Sequence, residues 1–177
     1  MDTIHELATR IGSALTRRGF LLVTAESCTG GWIAEVITSI AGSSTWFDRG
    51  FITYSNLSKQ EMLGVLAKTL ETHGAVSEAV AREMVAGALL HSVARAGLSV
   101  TGIAGPGGSA PDKPVGMVCF AWAMKGHGNK PPIRLGSMTK YFSGDRKSIR
   151  QQAVVTGLRG IMEMIESEKH VSASPPD

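Results

Sequence analysis

The run Val115-Gly116-Met117-Val118-Cys119-Phe120-Ala121-Trp122-Ala123-Met124 carries no charged side chain and is apolar almost throughout. A strand of this kind has no face to offer water, so its sheet must be covered on both sides. The rest of the chain supplies the cover. Ile4, Leu7, Ile11 and Leu15 share one helical face behind a Thr3-x-x-Glu6 capping box, and Gly19 can end that helix. The apolar run Phe20–Thr24 is the first strand, and Trp32–Ile40 the helix after it. Gly50–Tyr54 reads as a second strand. Ser58-x-x-Glu61 then opens a short helix that stops near Gly64, and Ser77 caps a long one carrying Val80, Met84 and Ala88. Leu98–Thr101, Val115–Met124 and Ile133–Phe142 complete the strands, with a turn from Lys125 to Pro132 between the last two. A final helix carries Ile149, Ala153, Leu158, Ile161 and Ile165.

The predicted order is α, β, α, β, α, α, β, β, β, α. Strands separated by helices pair in parallel, and the short turn between the fourth and fifth strands requires antiparallel pairing there. The expected fold is a three-layer α/β/α sandwich on a mixed five-stranded sheet. The 177 residues, 43% hydrophobic and 19% charged, fit one globular domain over 1–169 with a flexible tail over 170–177.

Composition also narrows the function. No apolar run is long enough to span a bilayer, and Met1–Glu6 has no basic segment leading into an apolar one. Two cysteines, Cys28 and Cys119, cannot build a disulfide scaffold, and no Cys/His spacing reads as a zinc site. A reduced, cytoplasmic setting is expected. The net charge of +3 is spread over scattered residues, so no dedicated nucleic-acid surface is expected, while a small anionic substrate is compatible. The apolar helix faces and the methionines Met162 and Met164 are compatible with a dimer.

Ligands of such sheets bind beyond the carboxyl ends of the parallel strands. Three segments follow those ends: Ala25-Glu26-Ser27-Cys28-Thr29-Gly30-Gly31, Tyr54-Ser55-Asn56-Leu57-Ser58-Lys59, and the Gly/Pro-rich loop after Thr101. The first is a small-residue turn opening a helix. It suits attack on a carbonyl or anion binding, and it also fits an ordinary turn capped by Ser27 or Thr29. Ser27 needs a proton acceptor to act as a nucleophile. None of the five histidines follows a strand end, which leaves Lys59 and Tyr54. Lys59 acts as the base if burial lowers its pKa, or stays charged and activates the Tyr54 phenol as the relay; the sequence does not choose between them. Cys28 is a rival nucleophile, since a helix N-terminus can depress a thiol pKa. Gly30 and Gly31 can offer backbone donors to an oxyanion, and the loop containing Gly102 and Gly105 permits close backbone approach to a ligand. Arg146, at the start of the last helix, could clamp a phosphate. Glu26 could orient a partner or cap the turn.

Thr24–Gly31, Ala41-Gly42-Ser43-Ser44, Gly50–Asn56, Gly74-Ala75-Val76-Ser77, Thr101–Pro106 and Lys113-Pro114-Val115-Gly116 together resemble the CinA C-terminal domain family, whose stand-alone members are nicotinamide-nucleotide amidases of the PncC type. The resemblance covers about Thr24 to Arg150. It implies a mixed sheet whose fourth strand is antiparallel, and a bacterial cytoplasmic enzyme of pyridine-nucleotide salvage. Such an enzyme hydrolyses nicotinamide mononucleotide to nicotinic acid mononucleotide and ammonia. It also implies a Ser-Lys amidohydrolase with Ser27 as nucleophile, Lys59 as base or base-activator and Tyr54 as helper. Thr101 and the glycines after it, Gly102 and Gly105, would line the pocket with Arg146, with no metal and no cofactor. The residues themselves add the Glu26 carboxylate, and the Thr29, Gly30 and Gly31 N–H groups, which would meet the oxyanion. Glu26 would complement the pyridinium charge, and Arg146 or the glycine loop the phosphate. Full-length family members carry a further N-terminal molybdopterin-binding-like domain that acts on ADP-ribose with metal. That activity is not expected here, where little more than one helix precedes Ser27. The competing expectation is a non-catalytic nucleotide- or partner-binding domain linked to competence and DNA damage. It would need the glycine loop and basic side chains but no nucleophile–base pair. An amidase for a different small amide is a second alternative.

Overall fold

In the computed structural model, residues 3–126 and 134–167 are described. Their elements are α1 (Ile4–Thr16), β1 (Leu22–Glu26), α2 (Trp32–Thr38), a 3-10 turn (Ser43–Thr45), β2 (Phe47–Ile52), α3 (Asn56–Leu63), α4 (Ala67–His73), α5 (Glu78–Leu90), β3 (Ala96–Gly102), β4 (Met117–Met124), β5 (Arg134–Tyr141) and α6 (Arg146–Ser167). The strand order is β2-β1-β3-β4-β5. β1 runs parallel to both β2 and β3, whereas β4 is antiparallel to β3 and to β5. The mixed sheet with a reversed fourth strand is the one the sequence implied. The expected turn falls on the undescribed 127–133 except at Lys125 and Gly126, and the expected tail over 170–177 lies outside the described residues.

The apolar run explains the layers. Along β4, Val118, Phe120, Trp122 and Met124 enter a core shared with α1, α2 and α6, while Cys119, Ala121 and Ala123 enter a second core shared with α3, α4 and α5. The faces differ in bulk. On the α6 side the Trp122 indole donates to the Gly157 carbonyl at 2.8 Å and fills the space left by Gly160. On the other side small residues let α5 lie close to the sheet, and Ser99 of β3 donates to the Ala81 carbonyl of α5 at 2.6 Å. Gly87 of α5 in turn meets the Leu63 carbonyl so closely that any Cβ there would overlap it.

Local capping follows the sequence with one correction. Thr3 and Glu6 form the expected reciprocal box, and Ser77 accepts from the Val80 N–H at 3.2 Å. The box expected at Ser58 and Glu61 is instead built by Ser55 and Ser58. The Ser58 N–H donates to Ser55 Oγ at 3.0 Å, and the Ser55 N–H to Ser58 Oγ at 3.1 Å. A serine hydroxyl at the third helical position does the work usually given to Glu or Gln. The helix therefore begins at Asn56, a turn earlier.

Two further differences bear on the site. β2 spans Phe47–Ile52 instead of beginning at Gly50, because Asp48 and Arg49 sit on a half-exposed edge strand where polar residues are tolerated. It ends before Thr53, releasing that residue's carbonyl from the sheet. α4 was not expected, since Leu70 is its one buried residue and gives no periodic signal.

Candidate active site

The ends of β1, β2 and β3 meet at a cavity of about 160 Å³ whose walls include Ser27, Cys28, Tyr54, Lys59, Thr101 and Arg146. Two larger clefts of about 650 and 750 Å³ run along α6, away from these strand ends.

Ser27 leaves β1 with its N–H donated to the Val100 carbonyl at 3.0 Å, which fixes the nucleophile candidate to the neighbouring strand. Lys59 comes from the first turns of α3 and is only 1% exposed. Its Nζ lies 3.0 Å from Ser27 Oγ and 2.8 Å from the Thr53 carbonyl oxygen. Burial lowers its pKa from 10.5 to about 8. A neutral amine has two N–H donors and one lone pair. The Thr53 carbonyl can only accept, so it takes one N–H, and the lone pair can receive the Ser27 hydroxyl proton.

Cys28 behaves in the opposite way. Burial pushes its thiol up to about 12, outweighing the position before a helix. A thiol held protonated at neutral pH is a poor nucleophile, so the rival expectation for Cys28 fails on burial.

Tyr54 lies at the rim and is 64% exposed. Its hydroxyl accepts from Arg146 at 3.2 Å and makes no hydrogen bond to Ser27 or Lys59 among the described residues. Arg146 also donates to the Gly105 carbonyl at 2.8 Å. Tyr54, Arg146 and the glycine loop thus form one edge of the opening. Thr101 and Gly102 line the interior, with the Thr101 hydroxyl donated to the Ala75 carbonyl at 2.9 Å.

The turn after Ser27 is internally satisfied in a way the sequence did not reveal. The buried Glu26 carboxylate accepts from the Thr29 hydroxyl at 2.6 Å, from the Gly31 and Ile33 N–H groups at 3.1 Å each, and from the Ala34 N–H at 2.9 Å. Glu26 therefore caps α2 and does not wall the cavity. The Gly30 N–H donates to the Ser27 carbonyl at 3.0 Å. The Gly30 and Gly31 donors are consumed, so they are not free for an oxyanion. Among the described residues neither the Cys28 nor the Thr29 N–H donates to another residue.

Two contributors escaped sequence reading. Thr53 acts through its backbone, which no side-chain pattern can signal. Arg150 donates to the Cys28 carbonyl at 3.1 Å and to the Thr29 carbonyl at 2.8 Å. Its position four residues after Arg146 places both guanidinium groups on one face of α6, and that spacing was the available signal.

A family model of the CinA C-terminal domain matches residues 4–165. The chain belongs to this family. It is 51% identical over 156 residues to a nicotinamide-nucleotide amidohydrolase PncC from Enterobacter agglomerans, covering 88% of this chain and 92% of that one. It is 49% identical over 161 residues to the Escherichia coli K12 protein of the same name, covering 90% and 93%. A crystal structure of a CinA superfamily protein from Klebsiella pneumoniae is similar at a TM-score of 0.86 and 36% identity, covering 94% of this chain and 99% of that one. Among the described residues no three His, Cys, Asp or Glu side chains gather in a group that could hold a metal ion, and no helix is long and apolar enough to cross a membrane.

Proposed function

We propose that this chain is a nicotinamide-nucleotide amidohydrolase that converts nicotinamide mononucleotide and water to nicotinic acid mononucleotide and ammonia, with Ser27 as nucleophile. The observation that carries the reading is the buried Lys59 amine 3.0 Å from Ser27 Oγ, with burial lowering its pKa to about 8.

Neutral Lys59 accepts the Ser27 proton as Oγ bonds to the carboxamide carbon. The resulting oxyanion is stabilised by the Cys28 and Thr29 N–H groups; of the Thr29–Gly31 donors expected from the sequence, those of Gly30 and Gly31 are already bonded. The tetrahedral adduct collapses as the Lys59 ammonium returns a proton to the departing nitrogen, giving ammonia and a Ser27 ester. Water, deprotonated by Lys59, then cleaves the ester and regenerates the hydroxyl.

The cavity takes the ring and carboxamide, and the ribose phosphate extends over the rim to Arg146. Tyr54, exposed and bonded to Arg146, stacks on the pyridinium face and does not relay the proton. The test is ammonia release from nicotinamide mononucleotide in EDTA by the wild type and Ser27→Ala. Release by the wild type that the variant loses supports the reading. A folded wild-type protein that releases none points to a binding domain or another amide.

A further inference from the structure

We propose that Arg150 is a positioning residue for the acyl-transfer step: its guanidinium holds the Cys28 and Thr29 carbonyls so that the peptide N–H between them stays aimed at the developing oxyanion. The inference rests on the serine-hydrolase reading above and adds to it a residue from the opposite end of the chain.

The accounting of the Ser27–Ala34 turn leads there. Its polar groups are taken up from three directions. Glu26 collects the Thr29 hydroxyl and the Gly31, Ile33 and Ala34 N–H groups. The Ser27 carbonyl takes the Gly30 N–H. Arg150 takes the Cys28 carbonyl through Nε and, beside the Trp32 N–H at 3.2 Å, the Thr29 carbonyl through Nη2. What is left are the Cys28 and Thr29 N–H groups, neither of which donates to another residue among those described; that of Thr29 shares its peptide with the carbonyl Arg150 holds. Buried N–H groups are almost always paired, so an orphan beside a nucleophile marks the place of an oxygen acceptor brought by substrate.

Arg150 sets the direction of the Thr29 donor. The Cys28 carbonyl and the Thr29 N–H belong to one planar trans peptide and point opposite ways. A carbonyl held at Arg150 turns the N–H away from Arg150. A cationic donor on that carbonyl also polarises the peptide and strengthens its N–H as a donor. The guanidinium is braced, with its centre 5.4 Å from the Trp32 ring. A lysine has no planar fork and cannot hold two successive carbonyls with the same geometry.

The experiment compares wild type, Arg150→Ala and Arg150→Lys by two readouts. One is kcat and KM for ammonia release from nicotinamide mononucleotide. The other is the rate of Ser27 sulfonylation by phenylmethanesulfonyl fluoride, followed by mass spectrometry, which needs the nucleophile and anion-stabilising donors but not the natural amide. The expected result for Arg150→Ala is a loss of about 10- to 100-fold in kcat and in sulfonylation rate, with KM within about threefold, since misplacing an oxyanion donor costs up to what deleting it does. Millimolar guanidinium chloride should restore part of both rates, and Arg150→Lys should fall between. A folded Arg150→Ala within about threefold of wild type in both rates, or a loss confined to KM, overturns the proposal. If Arg150→Ala does not fold, a folded Arg150→Lys at full kcat overturns it equally. A wild type that is sulfonylated at Ser27 but releases no ammonia refutes the substrate reading, and the Arg150 comparison then stands on sulfonylation alone.

Discussion

Lys59 Nζ sits between the Ser27 hydroxyl, 3.0 Å away, and the Thr53 carbonyl, 2.8 Å away. The carbonyl anchors one proton and leaves the lone pair for the serine. Activity should follow the neutral amine. As burial lowers the Lys59 pKa to about 8, kcat/KM should rise with pH through about 8 and level off above it. A pH–rate profile of ammonia release checks this, and a profile already flat from pH 6 to 9 would exclude Lys59 as the base.

The same burial has a stability cost. The gap between 10.5 and about 8 corresponds to about 3 kcal/mol against the charged form. Between these two values the unfolded chain binds more protons than the folded one, so folding stability rises with pH. Lys59→Met should abolish turnover yet be more stable than wild type near pH 6. That advantage should shrink as pH approaches 10, as measured by denaturant unfolding at both pH values.

Cys28 tests the nucleophile from the other side. Its pKa of about 12 leaves almost no thiolate at pH 7.5. Native protein should react with iodoacetamide far more slowly at Cys28 than unfolded protein. Cys28→Ser should keep kcat within about tenfold, reflecting repacking of a buried residue.

Arg146 and Tyr54 address binding. Arg146→Ala should raise KM for the nucleotide by about 10- to 100-fold, the loss of one charge-assisted phosphate contact, and the effect should weaken at high salt. Tyr54→Phe should keep kcat, whereas Tyr54→Leu should raise KM. A large kcat loss in Tyr54→Phe would restore the phenol to the proton path.

Glu26 addresses stability. Removing its four interactions in Glu26→Ala should cost about 3 kcal/mol in urea unfolding, because buried helix N–H groups lose their acceptor. Activity at temperatures where the variant remains folded should fall through a displaced Ser27 turn.

The strand-end positions of Ser27 and Thr101 were legible because glycine turns and apolar runs mark strand ends. Lys59 was legible only as a residue able to reach back. Its burial depends on α3 starting at Asn56, and Ser55 and Ser58 present the same hydroxyl to a reader choosing between caps. Glu26 could be read as orienting a partner or as capping its turn, and sequence, which cannot count the backbone donors that meet a carboxylate, did not choose between them. Arg150 was one scattered cation because its partners lie 121 and 122 residues earlier. Spacing within α6 relates it to Arg146, but only packing relates it to the turn.

The contact of Gly87 with the Leu63 carbonyl joins α5 to the end of the helix that carries Lys59. α5 in turn rests on the small-residue face of β4. Ala121 and Ala123 thus act as shims beneath the proposed base. Widening them by a methylene would lift α5, tip α3 and move Nζ relative to Ser27 without touching the cavity. The spacing of Ser27 and Lys59 is set by the thickness of a layer, and adjustments to it can come from residues on the far side of a helix.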